Sequence, residues 1–501
     1  MLVRRAALVL AALLALAGIA LRASELGTYG FWNDEAWVAL CTRVQGFQQF
    51  WLSLSVTPVL WAVTLKVWSL FGSGEGWFRG VPFVASVLGL WAAYRIGRDL
   101  VGHPAGGLLP LAVLGVDVHS LALGKVLKQY SAEALAALLA FEWAARFART
   151  GERRALLVLV AVLAVGIGFA NAEVFVGPPL VGALLVVTLA RGDRRRAAWA
   201  AVAGVAVGLW YLVCYRFLIA PRVLPSVQSY FAGKYAPAGS LPAALAAVWQ
   251  ALERYLAMTW GPPLLAPALL LVGAVALLAG AGPVEAIALA GVVAEVTLMS
   301  SWQRFPIGEP RVLLFLLTLL TVYAAAAVGP AVAWAWRRAS LRPVAVAALA
   351  FAALVFVRQR SWIGLSSAHQ VEDLGPLIRR VEAERRPGEP VLLYYRSGYV
   401  YAYYQRRTPV LFPNPSVSVG YIPILDDPDV TIIDAAHAQV VADAAFAKHT
   451  RVWFLGSRIR ADDWQRISPT LKRPGWQLEE LPRQNALALR LWQSPTPAPE
   501  H

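Results

Sequence analysis

Long apolar runs, separated by short polar and arginine-rich segments, make up most of the chain. A membrane-spanning helix needs about 20 mostly apolar residues, or somewhat fewer when polar side chains at its ends reach toward water. Eleven runs meet this requirement: Ala6 to Leu21, Val81 to Tyr94, Ala105 to Val116, Ala132 to Ala145, Ala155 to Ala170, Val174 to Ala190, Ala197 to Tyr215, Leu264 to Ala281, Val284 to Met299, Val312 to Trp334 and Val344 to Val357. The pattern predicts a polytopic α-helical membrane protein with about 11 transmembrane helices.

One apolar segment, Pro58 to Phe71, is short and contains Lys66. It is predicted to be an amphipathic helix lying at the outer membrane interface. If it does not span, the positive-inside rule places every arginine-rich cluster in the cytoplasm. These clusters are Arg4-Arg5, Arg95 with Arg98, Arg146 to Arg154, Arg191 to Arg196 and Arg337 to Arg342. The N-terminus is then cytoplasmic, and the first run is an uncleaved anchor because Leu21-Arg22-Ala23 is a poor cleavage site.

The tail beyond Arg358 differs from the rest of the chain. Its apolar runs are shorter, and strand-like stretches alternate with helical ones, as in a small α/β domain. The predicted strands are Val391 to Tyr395, Val430 to Ile433, Val452 to Leu455 and Ala486 to Trp492. We therefore expect a transmembrane domain at 1–357 that includes a long outer loop at 23–80. An extracytoplasmic α/β domain at 358–493 and a disordered, proline-rich end at 494–501 are expected to follow.

Composition agrees with a membrane protein, because 58% of the residues are hydrophobic and only 15% are charged. The net charge of +15 is explained by arginines in cytoplasmic loops and anion-binding sites, so no nucleic-acid partner is expected. The alanine, arginine and glycine content is typical of a GC-rich bacterium, which points to a bacterial inner membrane. Cys41 and Cys214 allow one disulfide bridge or two free thiols.

The first outer loop contains two adjacent carboxylates, Asp34 and Glu35, in the run Tyr29-Gly-Phe-Trp-Asn-Asp-Glu-Ala-Trp37. In glycosyl transfer, positive charge develops at the anomeric carbon, and a carboxylate takes the proton from the acceptor hydroxyl. The alternative is structural: Asn33 and Asp34 cap a helix from Ala36 to Phe50, with Glu35 in its first turn. The residues alone leave both interpretations open.

Basic residues recur at the predicted outer face. The three-residue spacing of Lys125 and Lys128 places both on one face of a predicted helix, where they can hold a phosphate or snorkel to the interface. Arg79 and Arg311 are further candidates for phosphate binding, although anionic lipid headgroups also explain them. Other polar residues are either pocket walls or structural groups: His119, Tyr130, Glu133, Glu295 and Arg304. The sequence has no P-loop, HExxH motif or GxSxG elbow.

The order of these motifs resembles the GT-C glycosyltransferases, in particular the protein O-mannosyltransferase and aminoarabinose-transferase group (glycosyltransferase 39 type). The matching segments are Trp32 to Trp37, Thr57-Pro58, Leu70 to Glu75 with Arg79, and Lys125 to Glu133. They cover the first third of the chain. The resemblance implies a GT-C fold, an inverting reaction and a sugar donor carried on polyprenyl phosphate. It also implies an acceptor hydroxyl, of a glycolipid, protein or glycan, on the extracytoplasmic face.

The resemblance also assigns roles to residues. Asp34 becomes the base and Glu35 its partner, while Arg79, Lys125 and Lys128 become phosphate contacts. Neither outer loop has an Asp-x-Asp motif, so a divalent metal stays an open question. The alternatives are a transporter or flippase for a lipid-linked sugar, or a surface-polysaccharide ligase or polymerase. A flippase would show pseudo-symmetric halves, and a ligase would have a large basic loop late in the chain. The sequence shows neither feature clearly.

Overall fold

The structure is a computed structural model. The residues that it describes are 2–55, 57–222, 225–260, 265–336, 373–405, 408–417, 419–425, 427–457, 459–480 and 487–494. The predicted eleventh span, Val344 to Val357, the predicted domain boundary at 357/358 and all but the first residue of the predicted disordered end lie outside these residues.

Helices form most of the first 336 residues. They are α1 (Leu2–Ala23), α2 (Asn33–Ala39), α3 (Phe47–Leu54), α4 (Val59–Trp68), α5 (Glu75–Val101), α6 (Leu108–Val116), α7 (Val118–Leu123), α8 (Tyr130–Thr150), α9 (Arg153–Phe169), α10 (Gly177–Ala190), α11 (Arg194–Cys214), α12 (Pro225–Tyr230), α13 (Leu241–Trp260), α14 (Leu265–Ala276), α15 (Pro283–Ser301) and α16 (Leu314–Trp336). Each predicted apolar run within the described residues lies wholly or largely in helical structure.

Five helical segments of the described chain are long and apolar enough to cross a membrane: Val3–Ala23, Glu75–Val101, Asn171–Ala190, Arg194–Arg222 and Pro283–Ser301. Shorter apolar helical stretches are Val59–Trp68, Pro104–Val116, Ala268–Ala279 and Leu314–Pro330. The chain is thus a helical, multi-pass membrane protein, as predicted. The count of about 11 spans, taken from the length of apolar runs, stays a prediction.

The segment predicted to lie at the interface forms α4. Its 10 residues rise about 15 Å, whereas the hydrocarbon core of a bilayer is about 30 Å thick. By length alone α4 does not cross a bilayer. Its location at the outer interface stays a prediction.

A long helix lies between the predicted apolar runs that end at Tyr215 and begin at Leu264, where no helix was predicted. Helix α13 occupies 20 residues of this segment. Its buried positions recur at helical spacing, for example Ala244, Val248, Leu252 and Tyr255, so one apolar face packs inward. The charged pair Glu253-Arg254 interrupts the apolar run. The resulting low mean hydropathy hid a helix that its periodicity reveals.

The chain divides into two compact units. The first comprises the described parts of Met1–Leu26, Val56–Trp61 and Arg79–Leu365. In this unit α1 packs on α6, α8 on α9, α10 on α11 and α15, and α14 on α16. The second comprises the described parts of Gly27–Ser55, Ala62–Phe78 and Ser366–His501. Contacts in space therefore group most of the first loop with the tail, which the linear division at 357/358 does not anticipate.

Two arginine-rich hairpins of the first unit meet at one end of its helices. Arg191 and Arg196 both donate hydrogen bonds to the carbonyl oxygen of Ala148, over 3.1 and 3.3 Å. Arg149 forms an ion pair of 3.1 Å with the buried Glu285. The two hairpins therefore lie on the same side of the bundle, as the predicted topology requires.

The tail contains a five-stranded sheet. Its elements are α17 (Gly375–Glu384), β1 (Val391–Tyr394), α18 (Gly398–Tyr404), β2 (Val410–Pro413), β3 (Tyr421–Ile424), β4 (Val430–Ile433), α19 (Ala438–Lys448), β5 (Arg451–Ser457), α20 (Ala461–Thr470), β6 (Gln477–Glu480) and β7 (Leu487–Gln493). The strand order is β4-β1-β5-β7-β6, with β1 parallel to β4 and β5 and the remaining pairs antiparallel. The four predicted strands are all present.

A separate hairpin and a short helix connect the tail to the first-loop segments of the same unit. Strands β2 and β3 pair antiparallel, α3 packs against β2, and α2 packs against α18. The side-chain amide of Gln49 exchanges two hydrogen bonds with the backbone of Leu411, of 2.7 and 3.2 Å. These contacts give α2 and α3 their positions.

Candidate active site

The carboxylates Asp34 and Glu35 lie in the first turn of α2. Trp32 is the N-cap residue, and its side chain makes no capping hydrogen bond. Asn33 is already helical, so the structural alternative, in which Asn33 and Asp34 cap a helix from Ala36, does not describe this segment. The helix also ends at Ala39, well before the predicted Phe50, and a 3₁₀ turn, Leu40–Thr42, follows it.

The two adjacent carboxylates differ in access. Glu35 is 0% exposed, whereas Asp34 is half-buried. Successive residues of a helix point about 100° apart, which separates their environments. Asp34 is therefore the member of the pair that can meet a ligand, and Glu35 is part of the packed interior.

The backbone around α2 is held by tyrosine hydroxyls of the tail. The Phe31 N–H donates to Tyr404 Oη over 2.8 Å, and the Tyr404 hydroxyl donates to Glu75 Oε1 over 2.6 Å. At the other end, the Tyr421 hydroxyl donates to the carbonyl oxygen of Trp37 over 2.9 Å. Burial, and then the neighbouring Glu75 carboxylate, raise the pKa of Tyr404, so its hydroxyl keeps its proton.

Two of the residues predicted to contact the donor phosphate form hydrogen bonds with the segment that follows α1. Arg79, 3% exposed, donates to the carbonyl oxygen of Leu26 over 3.1 Å. Lys125, which is half-buried, donates from Nζ to Ser24 Oγ over 2.9 Å. Burial lowers the pKa of Lys125, the charge of Glu25 opposes this, and the nearby Arg22 lowers it further. The structure thus brings Arg79 and Lys125 to one short segment.

The predicted helical face for Lys125 and Lys128 is wrong. Residues 124–129 form a turn between α7 and α8, and the helix begins at Tyr130. Lys128 is 4% exposed. The Ser131 hydroxyl donates to the carbonyl oxygen of Pro82 over 3.0 Å, which ties the start of α8 to α5. The positions of Lys125 and Lys128 are therefore set by a turn that is held between neighbouring helices, and not by helical spacing.

Arg311 and Arg304 lie in the segment between α15 and α16. Arg311 Nε is 2.8 Å from Glu309 Oε1, and Lys234 Nζ binds the other oxygen of this carboxylate. Burial acts to raise the pKa of Glu309, but the hydrogen bonds and charges of Arg311 and Lys234 outweigh it and lower the pKa. Arg304 is exposed and near Tyr235. Arg311 thus has a carboxylate partner already.

The predicted pocket residues occupy several places in the first unit. His119 Nε2 is 3.1 Å from the carbonyl oxygen of Tyr255. Tyr130 is 7% exposed at the start of α8. The buried Glu133 carboxyl accepts hydrogen bonds from the Gln129 side chain and the Asn171 backbone. Glu295 is half-buried within α15.

Arg22 and Glu173 are among the buried charged residues that the sequence did not single out. Arg22, 0% exposed, donates hydrogen bonds to Ser86 Oγ at 2.7 Å and to the carbonyl oxygens of Leu114 and Gly115 at 2.8 and 2.9 Å. Glu173 is also 0% exposed, and within the described chain neither carboxyl oxygen has a hydrogen-bond partner. Glu173 lies between two predicted spans, and Arg22 directly follows the first span. In the sequence both therefore looked like charged residues that flank membrane helices.

The described residues contain no group of three or more histidine, cysteine, aspartate or glutamate side chains arranged to hold a metal ion. Both cysteines, Cys41 and Cys214, are buried and free.

The helical first unit and the sheet in the tail agree with the predicted helical membrane protein with a C-terminal α/β region, and comparison with solved structures supports the predicted GT-C fold. The number of membrane spans and the location of the tail stay predictions. The chain is similar to the crystal structure of ArnT from Cupriavidus metallidurans bound to undecaprenyl phosphate, with a TM-score of 0.55 and 13% identity over 96% of this chain and 97% of that one. The apo state of the same protein gives a TM-score of 0.53 and 14% identity over the same shares of both chains.

A second solved protein is also similar. The Archaeoglobus fulgidus oligosaccharyltransferase, in complex with Zn and sulfate, gives a TM-score of 0.51 and 12% identity over 89% of this chain and 68% of that one. No protein-family model and no curated protein matches the sequence. At these identities the likeness establishes the fold, and the chemistry has to be argued from the residues.

Proposed function

We propose that the protein is a membrane glycosyltransferase that moves a sugar from polyprenyl phosphate to an acceptor hydroxyl, with inversion, on the extracytoplasmic face of a bacterial inner membrane. One observation carries the proposal: the fold is shared over 96% of the chain with an aminoarabinose transferase solved with undecaprenyl phosphate bound. The first loop of this chain carries an accessible carboxylate on an ordered helix, Asp34 on α2, which supplies the base that such a reaction requires.

The proposed reaction is a single displacement. The acceptor hydroxyl oxygen attacks the anomeric carbon while the bond from that carbon to the phosphate oxygen breaks. The bonding electrons leave with the phosphate as polyprenyl phosphate, and the hydroxyl proton passes to the Asp34 carboxylate. Glu35 does not take this proton, because its side chain is fully buried. Attack on the face opposite the phosphate inverts the anomeric carbon.

The leaving phosphate requires positive charge that is in place before the reaction. Buried or partly buried cations stabilise such a charge more than exposed ones, because water screens them less. Arg79, Lys125 and Lys128 are buried or half-buried, and the first two contact the chain just after α1. They are the proposed phosphate contacts. Arg311, which pairs with Glu309, is the weaker candidate.

The test uses the full-length protein in detergent or nanodiscs with a panel of polyprenyl-phosphate sugars and hydroxyl acceptors. Release of polyprenyl phosphate is measured for the wild type and for Asp34→Asn. Loss of the base should lower the turnover rate by about 10²- to 10⁴-fold, because the amide accepts no proton.

A matched control is Asp462→Asn, which makes the same change at an exposed acid of α20 and should leave turnover unchanged. Thermal unfolding of both variants verifies that the fold is retained. Undiminished turnover in Asp34→Asn would refute its role as the base. Absence of any polyprenyl phosphate release with the whole panel, together with movement of an intact lipid-linked sugar across a bilayer, would favour a flippase instead.

A further inference from the structure

Helix α2 is too short to hold its own shape. It has seven residues, whereas isolated helices below about 12–15 residues are marginal in water. Its N-cap residue, Trp32, makes no side-chain capping hydrogen bond. The orientation of Asp34 therefore depends on contacts from outside the helix.

The segment just before α2 is held by two hydrogen bonds of the Tyr404 hydroxyl. This hydroxyl accepts from the Phe31 N–H, three residues before Asp34, and donates to Glu75 at the start of α5. Because it both accepts and donates, its direction is fixed. Gly30 permits the approach: a Cβ there would lie 2.6 Å from Tyr404 Oη.

The end of α2 is held by a second hydroxyl. The Trp37 carbonyl lies in the last turn of α2. It accepts from the Tyr421 hydroxyl over 2.9 Å. Tyr421 is 0% exposed, and its own carbonyl accepts from the Tyr399 hydroxyl over 2.6 Å. The Tyr421 hydroxyl is thus held in place by the packing of the tail.

We propose that Tyr404 and Tyr421 are positioning residues for Asp34, and that the tail orients the base by clamping both ends of α2. The inference rests on the proposed function. The hydroxyl of each tyrosine bonds to the backbone just before α2 or within it. Each acts on Asp34 through the backbone of α2. A misplacement of a catalytic group by about 1 Å can lower the rate of reaction by about 100-fold.

The test replaces each hydroxyl singly, as Tyr404→Phe and Tyr421→Phe, in the full-length protein. Amide hydrogen exchange over residues 31–39 should accelerate by about tenfold in each, as expected for the loss of one hydrogen bond. The turnover number should fall by about 10- to 100-fold with the KM for the lipid-linked donor within about twofold of wild type, because base placement matters in the transition state.

The control is Tyr394→Phe. Tyr394 is also buried, and its hydroxyl donates to Asp463 Oδ2 over 2.6 Å within the tail, away from α2. It should leave exchange over residues 31–39 and the turnover number unchanged. The inference is overturned if exchange over 31–39 is unaltered in both test variants, or if Tyr394→Phe has the same effects. If the wild type releases no polyprenyl phosphate, the proposed reaction fails, but the exchange experiment still decides whether the clamp exists.

Discussion

Asp34 and Glu35 show how little adjacency in sequence says about chemical role. Both residues occupy the first turn of one helix, but only Asp34 keeps access to solvent. The sequence identified the pair. It could not show which of the two carboxylates is accessible, because access depends on what packs against each face of α2.

Lys125 is the phosphate contact whose structural alternative, snorkelling at the interface, can be tested directly. Its ammonium is half-buried and donates to Ser24 Oγ. If it also binds the donor phosphate, Lys125→Met should weaken binding of undecaprenyl phosphate about tenfold, since a hydrogen bond to a charged group contributes about 1.5 kcal/mol. Competition with a labelled lipid phosphate measures the affinity.

Lys448→Met supplies the comparison, because Lys448 is exposed at the end of α19. The Lys448→Met variant should bind undecaprenyl phosphate with the affinity of the wild type. Equal affinities for Lys125→Met and the wild type would leave snorkelling as the function of Lys125, since methionine retains most of the apolar stem.

At the scale of elements, short segments depend on their neighbours more than long ones do. The long apolar runs were found as helices because burial and length determine them. The turn at 124–129 was predicted as a helix from the spacing of two lysines, but its backbone follows the packing of α7, α5 and α8. Helix α13 was missed because a charged pair interrupts its apolar run, although its buried positions recur at helical spacing.

The segment before α16 is tied to the segment before α13 by Glu309, which binds both Lys234 and Arg311. Against the effect of burial, the hydrogen bonds and charges of Arg311 and Lys234 lower the pKa of Glu309 from its ordinary value in the folded protein. A carboxyl with a lowered pKa stabilises the fold fully above its unfolded pKa, and this contribution is lost as the pH falls through the folded value. Glu309→Gln should therefore unfold at a lower temperature than the wild type at neutral pH, and the difference should vanish in acid.

Thermal unfolding in one detergent over a series of pH values measures this difference. Glu384→Gln is the reference, because Glu384 belongs to an exposed ion pair with Arg380, and such pairs contribute about 0–1 kcal/mol. A difference between Glu309→Gln and the wild type that is constant with pH would show that the ionisation of Glu309 does not stabilise this connection.

At the level of the whole molecule, the tail is joined in one compact unit with segments that lie hundreds of positions earlier in the sequence. A linear scan for changes in composition predicts a boundary near Arg358. It does not find that Gly27–Ser55 and Ala62–Phe78 share contacts with the tail. Pairing of distant segments is decided by side-chain fit, such as the Gln49 amide against β2.

The proposed topology places the α8–α9 hairpin in the cytoplasm and α20 outside. Both native thiols are buried, and burial raises the pKa of Cys41 to about 12 although the charge of Lys66 acts to lower it, so background labelling should be low. In intact cells, a membrane-impermeant maleimide should label Asp462→Cys but not Arg153→Cys. Both positions are exposed at the protein surface.

Permeabilised cells serve as the control, because both cysteines should then react equally. Labelling of Arg153→Cys in intact cells would reverse the proposed orientation and place the arginine-rich hairpins outside. The wild type should stay unlabelled in both preparations.

Local features of the sequence are enough to predict the class of the protein: a helical membrane protein with an α/β tail and a carboxylate pair in its first loop. These features follow from local properties, namely the length of apolar runs, strand and helix periodicity, and charge where apolar runs end. The tertiary structure decided which carboxylate is accessible, that Arg79 and Lys125 meet beside α1, and that tyrosines of the tail hold α2. Those results depend on contacts between distant residues, and no local pattern encodes which distant surfaces fit together.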